Sequence, residues 1–137
     1  MTGRALLAAC GFGASLLGAA SAGAQPDPQV LKLGEQVYGR CIACHAVEQN
    51  RTGPAHCGLF GRRAGTAPGY GSYTQALRTS QIVWTDAALA RFLADPMNAV
   101  PGTSMTYLGV TDARERDALI AWLKVATQPG KSCTPPR

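Results

Sequence analysis

Apolar positions recur at helical spacing in three stretches of the chain and nowhere alternate in the two-residue rhythm of a half-buried strand. Val30, Leu33, Val37 and Tyr38 predict a first helix from about Pro28 into the cysteine region, with Pro26 and Pro28 near its start, where proline is tolerated. Thr85 is placed to cap a second helix running to about Ala94, with Leu89, Phe92 and Leu93 as its apolar face, Trp84 set to staple onto Leu89, and Pro96 as its stop. Asp112, followed three residues later by Glu115, opens a last helix that carries Leu119, Trp122, Leu123 and Ala126 on one side and closes at Pro129 and Gly130. Between them, Thr52 to Tyr73 is dense in glycine and proline, and Asn98 to Gly109 is a second irregular stretch. The expected fold is all-α, with three or four short helices and long loops.

At 137 residues, 46% apolar and 15% charged, the chain fits one domain and excludes a multidomain enzyme. The net charge of +5 is dispersed as single basic residues apart from Arg62-Arg63, too dilute for a nucleic-acid stripe. Residues 1–24 form a separate unit: Arg4, an Ala/Leu/Gly run and a terminal Ala22-Gly23-Ala24 match a signal peptide. An uncleaved anchor is the competing reading, since the run approaches the length of a short span; five glycines and the Ala-x-Ala end favour a leader. Cys10 follows too few apolar residues for a lipoprotein box. The expected mature domain, residues 25–137, retains four cysteines and is exported to the periplasm or another oxidising compartment.

Three helices and two long loops make a thin core unless something apolar fills the middle. Cys41-Ile42-Ala43-Cys44-His45 points to that filler. On a helical turn, thiols three positions apart reach one planar ligand, and the adjacent histidine aims a nitrogen at its centre, which is the attachment pattern of a c-type haem. A thioredoxin-like redox pair would need a βαβ context that is missing. A zinc site drawn from Cys41, Cys44, His56 and Cys57 explains the thiols but neither the export nor the turn-rich wrap.

With His45 on the iron, the candidates for the other axial position are Met105, Met97 and His56. Methionine is ordinarily flexible core filler. Met105 is favoured because it stands in a loop stiffened by Pro101 and Gly102, sixty residues beyond His45.

These features carry a resemblance. From about Leu33 to Thr127 the chain resembles the class I cytochromes c of the mitochondrial and bacterial cytochrome c2 type, through Cys41 to His45, Thr52-Gly-Pro-Ala55, Gly58-Leu-Phe-Gly-Arg62, Ala67-Pro-Gly69, Tyr73, Trp84, Pro101-Gly-Thr-Ser-Met105 and Glu115 to Lys124. The resemblance implies one covalent haem c, on Cys41 and Cys44, with His45 and Met105 as axial ligands and the Pro54 carbonyl on the second nitrogen of His45. It implies haem-propionate donors in Arg62, Tyr73, Trp84 and Thr103, and a first-to-last helix crossing where Gly34 and Tyr38 meet Leu119 and Trp122. An iron closed by two protein ligands suits outer-sphere electron transfer and not catalysis. The expectation is therefore a monomeric electron carrier between redox proteins such as respiratory or photosynthetic complexes, oxidases and dehydrogenases, without nucleic acid or stable membrane insertion. The alternative is a haem peroxidase or gas-binding cytochrome with an open sixth position.

Departures from the pattern sharpen this expectation. Phe92 stands where the family usually has a tyrosine that hydrogen-bonds the methionine sulfur, which implies a lower reduction potential. Met97, Asn98, Ser104, Thr111 and Asp112 occupy positions commonly lysine in the mitochondrial proteins; Arg40 and Arg51 remain, so the basic docking ring is thin. His56-Cys57 replaces the usual Leu-His pair, and His56 reads as a hydrogen-bonded core or surface residue. Once Cys41 and Cys44 carry the haem, Cys57 and Cys133 are the cysteines left in the mature chain. They are the candidates for a disulfide that pins the tail, the resemblance placing Cys57 near the end of the last helix.

Overall fold

A computed structural model describes residues 26–130 and Cys133. The leader, Met1 to Ala24, and its Cys10 lie outside the described residues. Five helices are present among them: α1 Pro28–Tyr38, α2 Gln75–Thr79, α3 Asp86–Ala94, α4 Pro96–Ala99 and α5 Ala113–Ala126. Three of these, α1, α3 and α5, are the helices predicted from periodicity, and each opens on a side-chain cap. Asp27 accepts from Gln29 N–H at 2.7 Å, Thr85 from Ala88 N–H at 3.1 Å and Asp112 from Glu115 N–H at 2.8 Å. The other two are about one turn each, too short to show a period. Thr74 caps α2, which buries only Leu77. Pro96 does more than stop α3: Asp95 turns extended, caps Asn98 at 3.1 Å, and Pro96 becomes the first residue of α4.

The frame is the crossing of α1 and α5, with α3 packed against α5 and α4 against α3. Its closest point is Gly34. A β-carbon there would fall on the Ala118 carbonyl oxygen and stand 2.6 Å from Trp122 Cβ, so only glycine lets the two backbones approach this closely. One turn later the Tyr38 ring lies 4.5 Å from that of Trp122, tilted by 34°. Val37, Leu119 and Leu123 are buried beneath this contact, and Leu89, Phe92 and Leu93 of α3 extend the core. Two exposed ion pairs span the frame, Arg40 with Glu115 at 2.7 Å and Lys124 with Asp86 at 2.8 Å; at the surface, screened by water and salt, such pairs add little.

The turn-rich segment wraps this frame without forming a strand. Gly61 N–H donates to Trp84 O at 3.0 Å, Trp84 N–H to Arg62 O at 3.0 Å and Ala64 N–H to Ile82 O at 2.8 Å, which makes one isolated antiparallel bridge between Arg63 and Val83. The second irregular stretch is tied down at Gly109. Its φ is +96°, a β-carbon would strike the Ala94 carbonyl oxygen, and the next amide, Val110 N–H, bonds Leu93 O at 2.7 Å.

Gly34→Ala tests the crossing. Alanine gains about 1 kcal/mol in helix propensity over glycine, but overpacking costs up to about 3 kcal/mol, so the clash should win. A clear fall in melting temperature is expected by circular dichroism; an unchanged or raised value would show that α1 and α5 separate at no cost.

Candidate functional site

Beyond Tyr38 the chain leaves the α1 register in a run of tight turns. Cys41 N–H donates to Tyr38 O at 2.8 Å, and the Cys41 carbonyl accepts from both Cys44 N–H at 3.1 Å and His45 N–H at 2.9 Å. This single helical turn sets both cysteines and the histidine on one short stretch. Cys41 and Cys44 are free thiols, Cys41 partly buried and Cys44 exposed; burial pushes the Cys41 thiol up.

His45 is almost fully buried, and its Nδ1 lies 2.9 Å from the Pro54 carbonyl oxygen. A carbonyl only accepts, so Nδ1 carries the proton and Nε2 presents a lone pair. Burial lowers the imidazole pKa, partly opposed by this hydrogen bond, which favours the neutral ring that a metal ligand requires. Gly53 borders the same ring: a β-carbon there would collide with Cε1 and stand 2.7 Å from each nitrogen. The loop that supplies Gly53 and Pro54 is closed by Gly53 N–H to Cys44 O at 2.7 Å and by Ala55 N–H to Asn50 Oδ1 at 2.8 Å.

Arg62 sits in the wrap with its two terminal nitrogens on backbone carbonyls, Cys57 O at 2.7 Å and Ala55 O at 3.1 Å. Its Nε is buried and has no acceptor among the described residues. A buried guanidinium N–H without a partner is costly, and an anionic group at that position would satisfy it. Trp84 is buried against Phe92, ring centroids 5.1 Å apart, on the segment whose backbone pairs with Arg62. Tyr73 accepts from Ala67 N–H at 3.2 Å through its hydroxyl, and burial raises its pKa while Arg62 opposes the rise.

The Met105 loop is fixed at several points. Thr103 N–H bonds Val100 O at 3.0 Å, Thr103 Oγ1 accepts from Met105 N–H at 3.2 Å, and Arg116 Nη1 donates to Val110 O at 2.7 Å. Met105 is partly buried against the core, whereas Met97 on α4 is 43% exposed. Of the two methionines, only Met105 is set inward.

The zinc alternative does not survive this geometry. Cys57 is bonded to Cys133, S–S 2.05 Å and Cα–Cα 5.2 Å, and no group of three or more His, Cys, Asp or Glu side chains among the described residues is placed to hold a metal ion. The bridge ties the wrap to the tail just beyond α5, where Gly58 N–H also bonds Thr127 O at 2.8 Å. His56, between Pro54 and Cys57, stacks on His45 with ring centroids 4.5 Å apart and an interplanar angle of 22°. Its pKa is driven well below the imidazole range by burial, then by His45 and Arg62. His56 is, as expected, a hydrogen-bonded buried residue, its Nδ1 3.2 Å from the Tyr38 hydroxyl, but its contact with His45 was missed, because nothing in linear spacing stacks it on the histidine eleven residues earlier.

Two free thiols on one turn, an imidazole with its outer nitrogen available, a glycine cradle and an orphaned guanidinium N–H together fit a covalently attached haem.

Comparison with known proteins agrees. The cytochrome c family profile matches residues 31–127. Cytochrome c2 of Rhodomicrobium vannielii is 38% identical over 122 residues, covering 87% of this chain and 93% of that protein. Cytochrome c of Gibberella zeae is 44% identical over 102 residues, covering 72% and 95%. Among solved structures, cytochrome cH from Methylobacterium extorquens superposes with a TM-score of 0.67 at 41% identity, over 69% of this chain and 97% of that one.

The disulfide is directly measurable. Thiol labelling of denatured, unreduced haem-loaded protein should find no reactive cysteine in the mature domain, and two after reduction. Closing a loop across 76 residues gives an upper figure of about 4 kcal/mol from chain entropy, so Cys133→Ser should lower the melting temperature. Two labelled cysteines before reduction would show that the bridge is not formed.

Proposed function

Because the chain belongs to the cytochrome c family, with that family's single covalently attached haem c, we propose that it carries single electrons between redox proteins with His45 and Met105 as axial ligands of the iron. When bound, the haem supplies a one-electron iron couple. Cys41 and Cys44 hold it as thioethers, so the group is not lost outside the cell. His45 offers Nε2 while the Pro54 carbonyl keeps the proton on Nδ1 and limits rotation of the ring. Met105 offers its sulfur from a loop whose ends are fixed. Arg62, Tyr73, Trp84 and Thr103 would serve as donors to the propionates, Arg62 through the Nε that otherwise lacks an acceptor. With His45 and Met105 both on the iron, protein would close the sites a substrate needs, which suits outer-sphere electron transfer and not catalysis.

The observation that carries this reading is the His45 arrangement: a buried, neutral imidazole, its inner nitrogen bound to Pro54, one residue beyond two free thiols on the same turn. Export to an oxidising compartment such as the periplasm, through a leader at residues 1–24, is supported by the Cys57–Cys133 bridge. No helix among the described residues is long and apolar enough to cross a membrane. The carrier works as a monomer that meets its partners transiently.

Partner docking follows from charge. Arg40 is engaged by both oxygens of Glu115 at 2.7 Å, which offsets its charge, whereas Arg51 donates to the neutral Ile42 O at 2.6 Å and keeps its own, so the ring retains one uncompensated basic residue. Steering by a charged face is correspondingly weak.

Met105→Ala should abolish the weak far-red charge-transfer band of the ferric protein and let carbon monoxide shift the reduced spectrum, whereas Met97→Ala should do neither. The reverse pattern would overturn the axial assignment, and carbon monoxide binding to the unaltered protein would favour a gas-binding or peroxidase-like reading.

Electron transfer to a highly acidic partner, followed by stopped flow, should be slower and less salt-sensitive than for a lysine-ringed cytochrome c. A steep rise in rate at low salt would contradict the thin basic ring.

A further inference from the structure

We infer that His56 is a positioning residue for the axial imidazole: its ring forms a flat backstop, held by Tyr38 at the helix crossing, that sets the plane of the His45 ring. The inference rests on the His45 ligation proposed above. A single hydrogen bond from Nδ1 to Pro54 fixes the tautomer but leaves the ring able to tilt about the N–O line. The near-parallel His56 ring, 4.5 Å away at 22°, restricts that tilt, as does the Gly53 backbone.

His56 is itself held at both ends. Its backbone N–H donates to Ala46 O at 3.3 Å and Val47 O at 3.0 Å, and the following Cys57 N–H donates to Val47 O at 2.8 Å. Its Nδ1 is 3.2 Å from the Tyr38 hydroxyl, a hydrogen bond available in either ring tautomer, and the two rings meet edge to face at 5.7 Å. Tyr38 is in turn packed on Trp122 of α5. The contacts therefore run unbroken from the α1–α5 crossing through Tyr38 and His56 to His45. A leucine at position 56, usual in the resembling proteins, could fill the volume but offers neither a flat face nor an atom for the tyrosine hydroxyl. The histidine and the phenol form one device.

The plane of an axial imidazole governs its π overlap with the iron and so the anisotropy of the ferric low-spin signal and the reduction potential. The experiment compares the haem-loaded full chain with His56→Leu, His56→Phe and Tyr38→Phe by ferric EPR and redox titration. His56→Leu should shift both the g-values and the midpoint potential. His56→Phe, which keeps a flat ring, should return the g-values toward the unaltered protein, and Tyr38→Phe should shift them in the same direction as leucine but less. Leucine and phenylalanine shifting alike would overturn the proposal, as would a lowered melting temperature with g-values and potential unchanged. Should His56→Leu fail to load haem, Tyr38→Phe decides: g-values identical to the unaltered protein overturn the inference. Failure of the underlying ligation reading is separately visible, since ferric NMR of the unaltered protein would then show no contact-shifted ring-proton resonances of His45.

Discussion

The hydrogen bond from His45 Nδ1 to the Pro54 carbonyl is the contact on which the rest of this structure turns. It joins the cysteine turn at the end of α1 to a loop that has no regular structure of its own, and it can form only because Gly53 adds no side chain where the ring lies. Once that loop is anchored on His45, its neighbours have fixed positions. Ala55 meets Asn50, Arg62 reaches back to the carbonyls of Ala55 and Cys57, and Cys57 is brought to Cys133. The bond that orients the imidazole proposed as iron ligand is also a fold-defining bond, so loss of the histidine would loosen the wrap.

Long loops without strands raise a general difficulty, since their carbonyls have no ladder in which to be satisfied. Guanidinium groups supply the missing donors. Arg51 reaches Ile42 O, Arg62 reaches Cys57 O and Ala55 O, Arg78 reaches Gly71 O and Tyr73 O, and Arg116 reaches Val110 O and Thr111 O. A planar fork with several donors can brace two carbonyls at once, which a lysine ammonium does with less geometric control. These bonds fix where each guanidinium sits but leave its charge intact; the basic side chains paired with a carboxylate among the described residues are Arg40 and Lys124.

What was legible in the sequence has a physical pattern. Helices α1, α3 and α5 are long enough for a hydrophobic period and begin at side chains that can cap them, so Asp112 with Glu115, and Thr85, announce their helices. The short α2 and α4 span five and four residues, little more than one turn each, so no period has room to repeat. The Cys-x-x-Cys-His turn is legible because its chemistry is local; every distance it needs is set by one helical turn. Met105 and Arg62 are long-range in sequence and became candidates through rigid loop composition and resemblance. His56 was not legible as a partner of His45, for stacking between rings eleven residues apart depends on how the Gly53 loop folds back, and no linear spacing encodes that.

The disulfide and the His56 contact have a common origin in the thinness of the core. A chain this short, with helices of 11, 9 and 14 residues as its frame, has little apolar surface to hold loops in place. Covalent closure at Cys57 fixes the backbone on one side of His56, and the Val47 carbonyl fixes it on the other. Between those anchors a polar aromatic ring can be carried into contact with His45 and given a hydrogen-bond partner in Tyr38, so its burial is not left uncompensated. The adjacent His56 and Cys57 are thus understandable as a pair: the bridge makes the backbone firm enough for the neighbouring ring to act on His45, and the ring connects that firmness to the helix crossing.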